Sequence, residues 1–258
     1  MAGGGTILTF PSLIAAGQLA NVANATSTVA LWPGLWSSLW GYRREIKDCR
    51  NAVLLLGLPS LIGGGLGATL FAHTSVGLFA HLVPFLILSA TLLFLAQEPL
   101  SKRMRQKAES SLSDISSTPS FSNRWYGIML FQLFVAIYGG YFGAGIGILM
   151  LSALSILGFT DIHKMNGLKN IFGLLINAVA IFIFIISRTL PGQGTGLHHN
   201  QLINWPIALM MAVGAIAGGL IGSGVARKVG QRNVRTTIIL IGFALTIILL
   251  IHPPTPGG

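Results

Sequence analysis

No acidic side chain stands in the middle of any long apolar run of this sequence. Its six Asp and Glu residues sit at the ends of such runs, as Glu98 and Asp161 do, or in polar segments. A cation site or a carboxylate proton relay inside a membrane is expected to show at least one acid, so the absence favours an anionic ligand. Cysteine is almost missing: Cys49 is alone, which excludes an intrachain disulfide framework and a thiolate metal site. No GxxxxGK[ST] string occurs, so ATP is not hydrolysed by that route. Met1 is followed by Ala2 and three glycines with no basic or apolar leader, so no cleaved signal is expected. His198 and His199 have no third ligand nearby, and neither a metal nor a cofactor is expected.

Charged residues make up 9% of the chain, against about 25% in a soluble domain. Hydrophobic residues reach 52% and the mean hydropathy is +0.74. An all-α, polytopic membrane protein follows. The net charge of +10 would suit nucleic acid in a soluble protein. Here the cations gather at 43–50, 98–124 and 227–235, the pattern that places loops in the cytoplasm, and no nucleic-acid partner is expected.

One stretch occurs twice. Residues 3–44 and 143–188 each begin with clustered glycines, run through a short apolar segment, meet a polar cluster rich in Asn, and enter a long apolar helix ending in arginine. Residues 5–19 and 148–158 are too short to cross about 30 Å of hydrocarbon and read as half-helices, the first broken by Pro11. Spans are expected at 22–40, 51–71, 81–96, 125–141, 168–186, 205–226 and 236–251. Gly214, Gly218 and Gly222 give the sixth a close-packing face. The chain divides into a first repeat at 1–97, a polar, flexible cytoplasmic linker at 98–124, and a second repeat at 125–258. Alternation of spans runs the two copies in opposite directions, an inverted repeat expected to bring both polar clusters together near the bilayer midplane. The second copy has a span ahead of its glycines and the first has none, so a leading helix before Met1 is expected in the native protein, with an asymmetric fold as the alternative.

The string GGGTILTFPSLIAAGQLANVANATSTVALWPGLWSSLWGYRRE, with its glycine start, Pro, Asn-Ala-Thr and Pro-Gly, resembles the TauE/SafE sulfite exporter family, and KMNGLKNIFGLLINAVA resembles that family's later Asn and Lys-Asn pattern. The resemblance covers nearly all of the chain outside the linker. It implies two inverted repeats and secondary transport of sulfite, a sulfonate or a related anion in a bacterial inner membrane.

A small anion in a membrane needs donors and positive potential, which broken helices supply through free N–H groups. Gly4, Gly5, Gly143 and Gly145 let backbone approach a ligand, or else only pack helices. Asn21, Asn24, Thr26 and Ser27 offer amide and hydroxyl groups, with helix capping as their alternative role. Asn166, Lys169 and Asn170 share one helical face, and Lys169 either meets the ligand or reaches to the interface. Asn177 lies two turns deeper, and His163 is a titratable candidate, more simply a solvated loop residue. Expected partners are the lipid bilayer, a small anionic substrate and a coupling proton or ion, with a homo-oligomer left open. The rival readings are an intramembrane enzyme on a lipid phosphate and a structural subunit of a membrane complex.

Overall fold

The computed structural model describes residues 5–47, 49–111, 121–156, 159, 161–187, 202–229 and 231–251. They form ten helices and no strand among the described residues: α1 (Gly5–Ala15), α2 (Ala20–Gly41), α3 (Arg43–Lys47), α4 (Arg50–His73), α5 (Val76–Ser111), α6 (Phe121–Tyr141), α7 (Ile146–Ile156), α8 (Ile162–Ser187), α9 (Trp205–Val229) and α10 (Gln231–Ile251). Three described stretches are long and apolar enough to cross a membrane: Arg50–His73, Val76–Leu93 and His163–Ser187. At 1.5 Å per residue, α1 and α7 reach only about 16 Å, roughly half the hydrocarbon thickness.

Packing in α4 runs opposite to that of a soluble helix. Its buried face is mostly small in the middle, with Gly57, Ser60, Gly63, Gly64, Gly67 and Ala68 between the larger Leu56 and Phe71, while Leu54, Leu58, Ile62, Leu66 and Leu70 point outward. Lipid tails are as apolar as leucine, so large side chains gain nothing by facing inward, and close backbone contact becomes the available attraction. Helix α4 accordingly packs most extensively on α6 and then on α8. A Cβ at Gly67 would strike the backbone of Ile137, and one at Gly140 would strike Gly64. Across the same contact Gln132 Nε2 donates to Ser60 Oγ at 2.9 Å, and Ser60 Oγ donates to the Leu56 carbonyl at 2.7 Å. Both side chains are buried, so each needs the partner it has.

A second layer surrounds this one. Helix α2 lies against α9 and α8, α5 against α10 and α7, and α1 against α2. Phe10, Phe71, Phe79, Phe142 and Phe184 form its core, with the Phe10 and Phe142 rings edge to face at 5.3 Å. Within the polar segment 98–124, α5 continues as helix to Ser111 and α6 has begun by Phe121. Lys, Arg, Gln, Met, Glu and Ala, which fill 102–109, are strong helix formers, and low apolarity does not cancel that preference.

Gly67→Ala should cost about 1–3 kcal/mol of stability through backbone overlap. Gly214→Ala should be neutral, because nothing lies within 4 Å of the added methyl. Thermal unfolding of the two variants in one detergent checks the contrast.

Candidate functional site

The first chain break lies ahead of the first polar cluster. Gly17 takes φ +81, the left-handed region open to glycine. Its N–H donates to the Ile14 carbonyl at 2.9 Å, and that of Gln18 to Leu13 at 3.0 Å. This pair of bonds closes α1 and satisfies its last carbonyls, after which α2 starts at Ala20. Asn21, Asn24, Thr26 and Ser27 therefore belong to the first turns of α2, where backbone in hydrocarbon keeps its own hydrogen bonds.

Each of these side chains has a defined setting. Asn24 Nδ2 donates to the Tyr141 carbonyl at 3.0 Å, joining the start of α2 to the end of α6. Thr26 Oγ1 accepts from the Asn204 N–H at 3.0 Å. Asn204 caps α9 through a 3.4 Å bond from the Ile207 N–H, and its Nδ2 donates to Gln18 Oε1 at 3.2 Å. Ser27 Oγ shares a proton with Thr9 Oγ1 of α1 at 2.6 Å. Two oxygens, Asn21 Oδ1 and Asn24 Oδ1, are buried with no hydrogen-bond partner.

Beside this cluster runs the turn from α6 to α7. Gly143 and Gly145 both take φ +79, and a Cβ on Gly145 would sit 3.5 Å from Ala90 of α5. These glycines of the second copy thus stand near the polar residues of the first copy. Gly5 is the first residue of α1 and faces Leu31, while Gly4 lies outside the described residues.

The second cluster is also helical. Lys169 Nζ donates to Asn166 Oδ1 at 3.2 Å, as their shared face predicts, and Asn170 Nδ2 donates to Ser38 Oγ at 2.7 Å. Lys169 is 6% exposed and is the only charged side chain among the buried described residues. Trp32 Nε1 donates to the Leu174 carbonyl at 3.3 Å, and Gly167 approaches Tyr42 and Ile46. Residue numbers fall along α2 as they rise along α8, so the pair is antiparallel.

That geometry separates the clusters instead of bringing them together at the midplane. Asn24 and Ser38 are roughly 21 Å apart along α2, and Asn170 is at the Ser38 end. Helices that each carry a polar start place those starts at opposite ends when packed antiparallel. His163 is exposed, its ring 6.4 Å from that of Tyr42, and Asn177 is half-buried in α8. His198, His199 and Thr160 lie outside the described residues. No group of three His, Cys, Asp or Glu that could hold a metal occurs among the described residues. The concavity bounded by Thr6, Phe10, Ile87, Ala90, Phe142 and Ala144 has no room for a water molecule, so this conformation is closed there.

Short helices followed by long ones with polar starts, packed through small residues and faced outward with leucine, define a helical membrane transporter. The chain belongs to the TauE/SafE sulfite exporter family, whose family model, described as Sulfite exporter TauE/SafE, matches residues 1–249. It is 26% identical over 248 residues to a probable membrane transporter protein of Haemophilus influenzae, covering 95% of this chain and 86% of that one. Similar proteins include probable membrane transporter protein ORF9 of Sinorhizobium, 24% identical over 99% of this chain and 88% of the relative. Another is probable membrane transporter protein YfcA of Escherichia coli K12, 23% identical over 97% of this chain and 83% of the relative. No solved structure matches. With a transporter family model over nearly the whole chain and probable membrane transporters as relatives, this chain is a membrane transporter and not an enzyme.

Sequence reasoning named the cluster residues but missed the groups that hold them: Tyr141, Asn204, Gln18, Thr9 and Ser38. Only Asn204 carried a local signal, an Asn directly before a helix start with Pro206 close behind.

Asp161 Oδ1 accepts the backbone N–H of His163 at 2.8 Å and that of Lys164 at 3.4 Å, capping α8. The His163 N–H bond holds the Asp161 carboxyl below its usual range. A lowered folded pKa gives stability that is present above the ordinary carboxylate pKa of about 4 and lost as pH falls through the folded value. Asp161→Ala should therefore unfold at a lower temperature than wild type near neutral pH, with the gap closing below about pH 4; thermal melts across pH check this. Gly145→Ala should cost about 1–2 kcal/mol, the penalty of a Cβ in the left-handed region, as read by denaturation in detergent.

Proposed function

We propose that this chain is a multi-pass transporter of the bacterial inner membrane that exports a small sulfur-containing anion, sulfite or a sulfonate, by alternating access. Lys169 carries the reading: a buried cation in a spanning helix, positioned by Asn166, in a sequence that places no acid in the apolar core of any span. Asn170, next to it in sequence, and the Ser38 hydroxyl that Asn170 bonds add groups that suit an oxyanion.

Export, as the direction, is supported by where that cluster stands. It occupies the end of the α2–α8 pair next to the basic segment 43–50, which the positive-inside rule assigns to the cytoplasm. An anion taken up there leaves the cell. Alternation is supported by matching neighbourhoods: α2 meets α9 as α8 meets α4, and α1 meets α10 as α7 meets α5. Those pairings are what an inverted repeat of α1–α2 with α7–α8 requires, and exchanging the two environments opens one end as it closes the other.

Flux of labelled sulfite in proteoliposomes tests the reading, with thiosulfate, sulfoacetate and sulfate as competitors. Wild type should give saturable flux, Lys169→Ala should lose at least tenfold of it while remaining monodisperse, and Lys169→Arg should retain a substantial part. Absence of flux for every one of these anions would remove them as substrates.

A further inference from the structure

The first cluster differs from the second in the sign of the group it lacks. The Tyr141 carbonyl can only accept, so the atom that Asn24 turns toward it is Nδ2, and the direction of its amide is fixed. Oδ1 then faces away from Tyr141, buried and without a donor, on a side chain 1% exposed. Asn21 Oδ1, one turn earlier on the same face of α2, is also buried and without a donor. Leaving two carbonyl oxygens unmet in one helical turn is costly, and what they lack is a hydrogen-bond donor or a cation.

The surrounding backbone reinforces that sign. Helix α6 ends at Tyr141, whose carbonyl takes the Asn24 amide, so the helix end nearest the two oxygens brings an acceptor and no donor. An anion would bring more acceptors to a site that already has an excess. All the protein groups are neutral. Divalent ions usually draw on carboxylates, and none is among the described residues of this cluster. A hard monovalent cation suits neutral oxygens at a helix break. The acid expected of a membrane cation site is not required here, because a monovalent ion at a helix break can be held by neutral carbonyl oxygens alone.

The geometry points to a Na+ site formed by Asn21 Oδ1 and Asn24 Oδ1, whose occupancy drives the transport cycle. Its coupling role rests on the transport reading above, whereas ion binding does not. The site stands at the end of α2 remote from the basic segment 43–50, on the side the positive-inside rule assigns to the exterior. Na+ captured there and released inward would exchange for an anion released outward.

Binding of radiolabelled Na+ to the purified full chain in nanodiscs, with K+ and choline as competitors, tests the site without any anion. Wild type should bind Na+ saturably and resist both competitors. Asn24→Leu should weaken binding at least tenfold. Asn21, whose side chain makes no hydrogen bond among the described residues, gives a second variant: Asn21→Ala should weaken binding at least threefold, so the test survives if the Asn24→Leu variant fails to fold. Asn21→Asp adds a carboxylate and should tighten binding at least threefold. No saturable Na+ binding by wild type, or binding unchanged in both Asn21 variants, would overturn the site and leave water as the occupant. Sulfite flux in proteoliposomes should then rise severalfold under an opposed Na+ gradient. Flux indifferent to Na+ would overturn the coupling and leave anion transport standing; Na+ binding with no anion flux would keep the ion site and sink the anion reading.

Discussion

Close backbone contact between α4 and α6, at Gly63, Gly64, Gly67 and Gly140, is the constraint on which the other placements rest. It allows α4 to serve as a common support, with α6 on one flank and α8 on another. Holding α6 fixes Tyr141 and the two left-handed glycines that follow, and Tyr141 in turn aims the Asn24 amide. Holding α8 fixes Lys169 and Asn170 against the far end of α2. Glycines that touch no ligand therefore set the positions of both polar clusters. In lipid this attraction is packing and not water exclusion, and a methyl group in the wrong place is enough to weaken it.

The two clusters divide hydrogen-bonding labour. Amides and hydroxyls can present either sign, and only their partners decide which is left over. In the first cluster the Asn24 amide N–H is used by Tyr141 and the Thr26 oxygen is used by Asn204. What remains is carbonyl oxygen. In the second, the Asn166 oxygen and the Asn170 amide hold a lysine and a serine, and a buried ammonium sets the local potential. Counting Asn residues in each cluster would make the two look alike, whereas the bonding makes them complementary.

Much of the fold was legible because bilayer thickness turns length into information. Segments of about eleven residues between glycines cannot cross, and the structure has α1 and α7 as short helices. The Asn166–Lys169 pairing was legible because a three-residue helical spacing is local. The antiparallel register of α2 on α8 was not. Both are apolar along most of their length, so no periodic pattern selects Ser38 as the partner of Asn170, and the expectation that the clusters meet failed with it. The Asn24 bond to Tyr141 spans 117 residues and leaves no mark on either neighbourhood. The extension of α5 to Ser111 is hidden for the opposite reason: the segment is polar, and its polarity masks its helix propensity.

Polar clusters about 21 Å apart along α2 limit how transport can proceed. Nothing bound at one end reaches the other by diffusion through apolar packing as tight as that between Phe10 and Phe142. The short helices are the elements able to yield. Helix α1 is joined to α2 through a glycine turn and held by the Thr9–Ser27 hydroxyl pair, a bond that water can replace at small net cost. Helix α4 has no comparable freedom, since shifting it would break several backbone contacts at once. Movement of α1 and α7 against a stationary α4–α6–α8 support would therefore expose one cluster at a time. It would do so without leaving a spanning helix's backbone unpaired in lipid, a cost the bilayer does not tolerate.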